Sequence, residues 1–367
     1  MTPLRIGIVG AGGMGMSHAA AISELGEFEL AGLCDVDREM VEATAGKSGV
    51  PAFTDYTEMV RADRLDAVLV ATPHYFHPPV VEHALANGVH VMCEKPIAVH
   101  VRDAQRMIDA HAGSGVRFGV MFQMRTNPLF RAVHELVASG ALGELQRTNW
   151  IITNWYRPQA YYDMGGWRGT WKGEGGGVLI NQCPHQLDLM QWICGMPVRL
   201  RAHCRLGARH EIEVEDDVTA VLEYANGATG IFVTSTGEAP GANRFEIVGD
   251  LGTVIVENDE VRYCRTAMSV RQHIATADKS FAKVDVEEVD VPIPAGGGAH
   301  IDILTNFAAA ILDPELAVVA PGCEAINQVT LQNAMLMSGL QKRPVELPLD
   351  GDAYVAFLDD LIASAAQ

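Results

Sequence analysis

The sequence predicts an α/β fold class: a doubly wound parallel sheet over residues 1–122, then an α/β domain on a largely antiparallel sheet over residues 123–367. Three observations predict it. Short apolar runs alternate with amphipathic helical stretches through the first part of the chain; a glycine-rich turn joins the first such run to the first helix; and beyond residue 123 the texture changes to strands that alternate polar and apolar residues.

In order, strands are expected at 5–9, 29–34, 67–71, 89–93 and 118–122, with helices such as 79–87 and 101–112 between them. The near-continuous apolar character of these runs is that of strands covered on both faces. A helix at 128–139, an aromatic-rich loop and a helix around His185 follow. Residues 218–224, Asn226-Gly227 and 229–236 read as a hairpin on a tight turn, and 245–248 and 253–257 continue that sheet. Helical patterns at 301–312 and 324–339 and an extended 344–348 close the chain.

A length of 367 residues suits two cores. No run reaches the length of a membrane-spanning helix, and a first strand near Leu4 leaves no room for a signal peptide, so a cytoplasmic placement is expected. The seven cysteines lie without any C-x-x-C pair and are expected to be free thiols. A formal net charge of −19 argues against nucleic-acid or anionic-membrane partners. It leaves room for a nucleotide, which local backbone dipoles hold.

Gly10-Ala11-Gly12-Gly13-Met14-Gly15 follows an apolar strand and opens a helix. Glycine there allows a tight turn, close approach of backbone N–H groups to a pyrophosphate, and close helix-to-strand packing, which predicts a Rossmann dinucleotide site. Asp35 ends the second strand, where a carboxylate accepts from a ribose diol; this favours NAD over NADP, although Arg38 just downstream could receive a phosphate.

Glu94-Lys95-Pro96 follows the 89–93 strand at the sheet edge where ligands bind, and a cis Lys95-Pro96 bond would direct the lysine into the cleft. Lysine there can polarise a hydroxyl. Thr72-Pro73 and His77 follow another strand and are expected to shape the nicotinamide side of the site.

Together the glycine turn, Ala71-Thr72-Pro73 with His77, Glu94-Lys95-Pro96, the segment from Gly175-Gly176-Gly177 to His185, Phe245-Glu246-Ile247-Val248-Gly249 and Val345-Glu346-Leu347-Pro348 resemble the glucose–fructose oxidoreductase / inositol dehydrogenase / rhizopine catabolism family. The resemblance implies a Rossmann domain plus an α/β domain with a large open sheet, through which a homodimer or homotetramer forms. It implies hydride transfer between a nicotinamide and a sugar or cyclitol carbon, with Lys95 catalytic.

In the matching stretch that family commonly carries aspartate, three residues, then histidine; here the aspartate position is Asn181 and the histidine is His185. Their spacing would put both on one helix face, with Pro184 able to kink the turn. Asn181 cannot titrate, so proton transfer falls to His185, or to Lys95 with His185 as relay. Asp188 could hold the imidazole or face substrate. No set of His185, Asp188 and Cys183, or of His74 and His77, has metal-ligand number and spacing, so no metal is expected.

Residues 150–172 concentrate aromatic and cationic side chains, as a wall for a small polyhydroxylated substrate would; Trp167 and Arg168 are its best candidate contacts, and Arg125 is a substrate ligand or a salt-bridge residue. Two other functions fit the same residues. One is NAD-dependent glycoside cleavage through transient ring oxidation; the other is a non-catalytic nucleotide-sensing protein, against which the pairing of Lys95 with His185 speaks.

Overall fold

A computed structural model describes residues 2–365, which fall into two compact units. The first takes the chain through Thr126 together with Gly297–Val329; the second takes Asn127–Gly296 and the chain from Thr330 onward.

The first unit is built on a six-stranded parallel sheet of β1 (Leu4–Val9), β2 (Phe28–Cys34), β3 (Ala52–Phe53), β4 (Ala67–Val70), β5 (His90–Cys93) and β6 (Phe118–Val120), in the order β3-β2-β1-β4-β5-β6. The order reverses between β1 and β4, so their carboxyl ends flank the crevice where doubly wound sheets bind ligands. Ile6, Ile8, Val68, Leu69, Val70, Val91 and Met92 are all fully buried, which is why these strands read as unbroken apolar runs. The edge strand β3 has only two residues, too few to leave a period in the sequence.

The helix His300–Leu312 belongs to this unit. Its Ile303, Leu304, Phe307 and Ala308 join the core of the parallel sheet, and Phe307 lies 6.5 Å from Phe28 between ring centroids. Residues 297–329 thus lie in the first unit and not in the single second domain expected over 123–367. The apolar period of a helix names its buried face but not the sheet that face covers, so the return of 297–329 was not legible.

The second unit carries nine strands: β7 (Leu145–Ile152), β8 (Arg199–Leu206), β9 (Glu215–Glu223), β10 (Thr229–Ser235), β11 (Asn243–Gly249), β12 (Gly252–Glu257), β13 (Glu260–Thr266), β14 (Val286–Val289) and β15 (Val345–Glu346). Their order is β14-β13-β12-β11-β7-β10-β9-β8-β15. Only the β7–β10 pair is parallel. The expected β9–β10 hairpin turns at Asn226-Gly227, where Gly227 adopts a φ of 86°. One sheet face is core: Trp150 stacks on Phe245 at 4.1 Å, and its indole N–H donates to Asn243 at 3.1 Å. No disulfide joins any of the cysteines among the described residues. No helix among the described residues is long and apolar enough to cross a membrane.

Candidate active site

The glycine turn leads into the helix Gly13–Ser23, whose N-cap Gly12 supplies no side-chain cap and whose first turn has no acidic residue. Its opening N–H groups and dipole are therefore left for an anion. Two of the glycines are demanded by the fold itself. A Cβ on Gly10 (φ 98°) would stand 2.5 Å from the Ala71 carbonyl, and one on Gly15 would stand 1.9 Å from the Gly10 carbonyl oxygen. Gly12 and Gly13 differ, for a Cβ on either meets nothing within 4 Å. The bare space beside them fits a dinucleotide pyrophosphate, and Met14 is exposed on the same turn.

Asp35 ends β2 beside this turn. One carboxylate oxygen accepts the Ala11 N–H at 2.8 Å and the other the Asp37 N–H at 3.1 Å, which fixes the group beside the glycine turn. Arg38 is exposed and pairs with Glu42 at 3.2 Å on its own helix.

Lys95 follows β5, in the same unit and at the same carboxyl-terminal edge as the glycine turn. Its backbone N–H donates to Glu94 Oε2 at 3.0 Å, and the Lys95-Pro96 bond is cis. His77, expected to shape the nicotinamide side, is fully buried, with Nδ1 2.9 Å from the Pro96 carbonyl and Nε2 2.9 Å from the Thr72 carbonyl. It ties the end of β4, where Thr72-Pro73 lies, to the turn after Lys95, and offers no ring atom to a ligand.

Glu94 completes this side. Its Oε1 lies 2.5 Å from His18 Nε2, and His300 packs edge-on to His18 with centroids 5.0 Å apart. Burial by itself pushes the Glu94 carboxyl up; the His18 hydrogen bond and the charges of His18, Lys95 and His300 outweigh it and hold the group at about 2. Among the described residues, only His18, Glu94 and His300 bring three possible metal-ligand atoms within 4.8 Å of one another. The His18–Glu94 contact is a hydrogen-bond distance, whereas two ligands of one tetrahedral ion with bonds near 2.0 Å stand about 3.3 Å apart.

In the second unit the expected single helix through Asn181 and His185 is two segments, Val178–Asn181 and Pro184–Cys194. Proline lacks the N–H a continuing helix needs but suits a first turn, so the chain breaks before Pro184 and restarts there. The two residues thus do not share one helix face. The Asn181 amide N–H donates to Glu174, whose other oxygen accepts the Gly169 N–H at 2.7 Å. The sequence lacks a carboxylate at position 181, yet a buried carboxylate bonds to the asparagine there and sets its amide orientation.

Glu215 lies behind the glycine run. Its Oε1 accepts N–H bonds from Gly177 at 2.9 Å and Leu179 at 3.1 Å, and Oε2 is buried with no partner among the described residues. Burial pushes its carboxyl up to about 7, with the Glu174 charge adding to the effect and the backbone N–H bonds opposing it.

The aromatic loop divides between core and surface. Trp150, Tyr162 and Trp171 are buried. Arg168 lies over the rings of Tyr161 (4.6 Å) and Trp167 (4.5 Å) and donates to the Tyr161 hydroxyl at 2.7 Å, while Arg157 lies over Tyr161 at 5.2 Å. Arg168 also lines a cleft of about 330 Å³ with Gln159, Tyr162, Asp163, Ile212 and Glu213.

Two residues offered as possible substrate contacts are buried. Arg125 is 1% exposed, pairs with Glu324 and donates to the Val319 carbonyl at 3.3 Å, the arrangement its salt-bridge alternative expects. Asp188 is 1% exposed and accepts from the Gln191 amide at 3.1 Å, which places it inside its unit rather than facing substrate.

Local sequence patterns did not single out Glu174, Glu215, His18 or His300. A signal existed for two of them: Glu174 interrupts a glycine-rich run, and His18 is a polar residue beside an alanine run in a helix that must pack on a sheet.

Residues 4–122 match the family described as "Oxidoreductase family, NAD-binding Rossmann fold", and residues 130–255 match the GFO/IDH/MocA C-terminal domain. An inositol 2-dehydrogenase of Rubrobacter xylanophilus is 30% identical over 262 residues, covering 69% of this chain and 71% of that protein. An inositol 2-dehydrogenase of Rhizobium meliloti is 25% identical over 94% of this chain and 99% of its own. The WlbA dehydrogenase of Bordetella pertussis, solved with NADH and UDP-GlcNAcA, is 28% identical with a TM-score of 0.79, covering 95% of this chain and 100% of that one. Sequence, fold and glycine-turn geometry agree: the chain belongs to the GFO/IDH/MocA family of oxidoreductases, with an NAD-binding Rossmann fold.

Proposed function

We propose that this oxidoreductase removes hydride from a secondary carbinol of a sugar, glycoside or cyclitol. Bound NAD supplies the hydride acceptor. The carbinol carbon gives up hydride and its hydroxyl gives up a proton, leaving a ketone. Lys95 holds and polarises that hydroxyl, and His185 takes the proton, the imidazole being the side chain whose ordinary pKa suits transfer near neutrality. Asn181, oriented by Glu174, hydrogen-bonds substrate or the histidine. Trp167 and Arg168 supply an aromatic face and hydrogen-bond donors to a polyhydroxylated ring.

The observation that carries the reading is the fixing of Lys95 at the edge that bears the glycine turn, by Glu94 on its N–H and by His77 on the next carbonyl. The inositol dehydrogenase relatives support a cyclitol, and the nucleotide-sugar acid bound to the Bordetella enzyme supports a sugar. A homodimer or homotetramer through the large sheet is part of the reading, with Ile151, Val221 and Ile231 at least 40% exposed on its outer face.

The test is a 340 nm absorbance screen of inositols, aldoses, glycosides and sugar acids with NAD and with NADP, beside Lys95→Met. Net NADH is expected with at least one polyol, and a loss of about 10²–10⁴-fold in kcat in the variant with NADH binding retained. Unchanged turnover in Lys95→Met would defeat the assignment.

A further inference from the structure

We propose that His18 is a positioning residue for Lys95, acting through the Glu94 carboxylate, so that the helix begun by the glycine turn also fixes the lysine. The inference rests on the assignment of Lys95 to the hydroxyl chemistry proposed above.

Three residues distant in sequence make the device. His18 lies in the first helix and is 0% exposed; Glu94 follows β5; His300 is the first residue of the helix His300–Leu312. The two Glu94 oxygens are divided, Oε1 to the His18 ring at 2.5 Å and Oε2 to the Lys95 backbone N–H at 3.0 Å. A carboxylate bonded on both oxygens cannot rotate, so the N–H of Lys95 has a fixed acceptor. His77 closes the other side at the Pro96 carbonyl. The edge-on His300 ring restrains the imidazole.

The electrostatics give the inference a sign. Glu94 is 7% exposed, and a buried carboxylate needs a compensating donor or cation. Its donors are the His18 ring on Oε1 and the Lys95 N–H on Oε2, and the Lys95 ammonium is the cation whose charge favours it. With the His18 bond removed, Oε1 is left to turn toward the Lys95 ammonium. That ion pair would hold the amine away from a substrate hydroxyl and shield it from electrophiles. Hydride transfer then slows, while NAD binding and the substrate contacts assigned to Trp167 and Arg168 persist.

The experiment uses the full chain as wild type, His18→Leu, His18→Gln and Lys95→Met. Steady-state kinetics are read with whichever polyol yields NADH in the screen, and NADH affinity by fluorescence. The rate of amine acylation at Lys95 in NAD-free protein is read by peptide mass spectrometry. For His18→Leu, kcat should fall roughly 10–100-fold with KM and NADH Kd held within about threefold, and Lys95 acylation should slow several-fold. His18→Gln retains an N–H for Glu94 and should return kcat and acylation to within about fivefold of wild type.

His18→Leu with kcat and acylation within about twofold of wild type overturns the proposal. So does a loss shared equally by both His18 variants and matched by weaker NADH binding and a lower melting temperature, the signature of packing alone. Zinc in stoichiometric amount in the purified protein, lost on His300→Ala, overturns it in favour of a metal site. Normal turnover by Lys95→Met refutes the role of Lys95 itself, and the acylation rates still decide whether His18 positions the amine.

Discussion

Glu215→Gln is expected to flatten the dependence of the second unit's stability on pH between about 5 and 8. The carboxyl is 1% exposed, and burial moves it from an ordinary 4.5 to about 7. At about 1.36 kcal/mol per tenfold, that difference corresponds to roughly 3 kcal/mol. Below 4.5 folded and unfolded chains both carry the proton, and the group adds no pH dependence. As pH rises toward 7 the unfolded chain releases the proton while the folded chain keeps it, so stability falls; above 7 both are ionised and the loss is complete. Of the roughly 3 kcal/mol, about 2–3 kcal/mol develops between pH 5 and 8. Glutamine keeps an oxygen for the Gly177 and Leu179 N–H groups and has no proton to lose. The assay is thermal and urea unfolding of both proteins at pH 5, 6, 7 and 8, reading the variant-minus-wild-type difference so that other titrating groups cancel. That difference should move in favour of the variant by about 2–3 kcal/mol, or roughly 5 °C or more in midpoint, from the lowest pH to the highest. Parallel curves would refute the raised carboxyl.

Three further variants test the first unit. Gly15→Ala puts a methyl 1.9 Å from the Gly10 carbonyl oxygen, so the melting temperature should drop by the equivalent of about 1–3 kcal/mol or more and NADH binding should be lost. Gly12→Ala meets nothing in the chain and should leave unfolding within about 0.5 kcal/mol while weakening NADH, as titration by fluorescence would read. Arg125→Met removes the partner of Glu324 and should cost about 1–3 kcal/mol in urea unfolding with KM unchanged; a raised KM at wild-type stability would return Arg125 to the substrate.

The local features of the site were legible because each is written within a few neighbouring residues. The glycine turn, Asp35 at a strand end and Glu94-Lys95-Pro96 after β5 all lie where pattern and turn chemistry put them. The break at Pro184 was half legible: the proline was noted, but its effect depended on whether the helix continued or restarted. His77 was legible as a residue after a strand end on the nicotinamide side, not as a buried brace between two carbonyls, since burial is a property of the packed unit.

The sequence by itself determined the parallel and antiparallel character of the two sheets and the place of the dinucleotide turn, because side-chain periodicity and glycine's freedom act over short stretches of chain. Only the tertiary structure decided which distant polar groups share a hydrogen bond. His18 meets Glu94 across 76 positions, Glu215 reaches Gly177 across 38, and Arg125 finds Glu324 across 199. A buried charge must be compensated, but any of many residues can compensate it, and the packing of strands and helices into one core selects the partner.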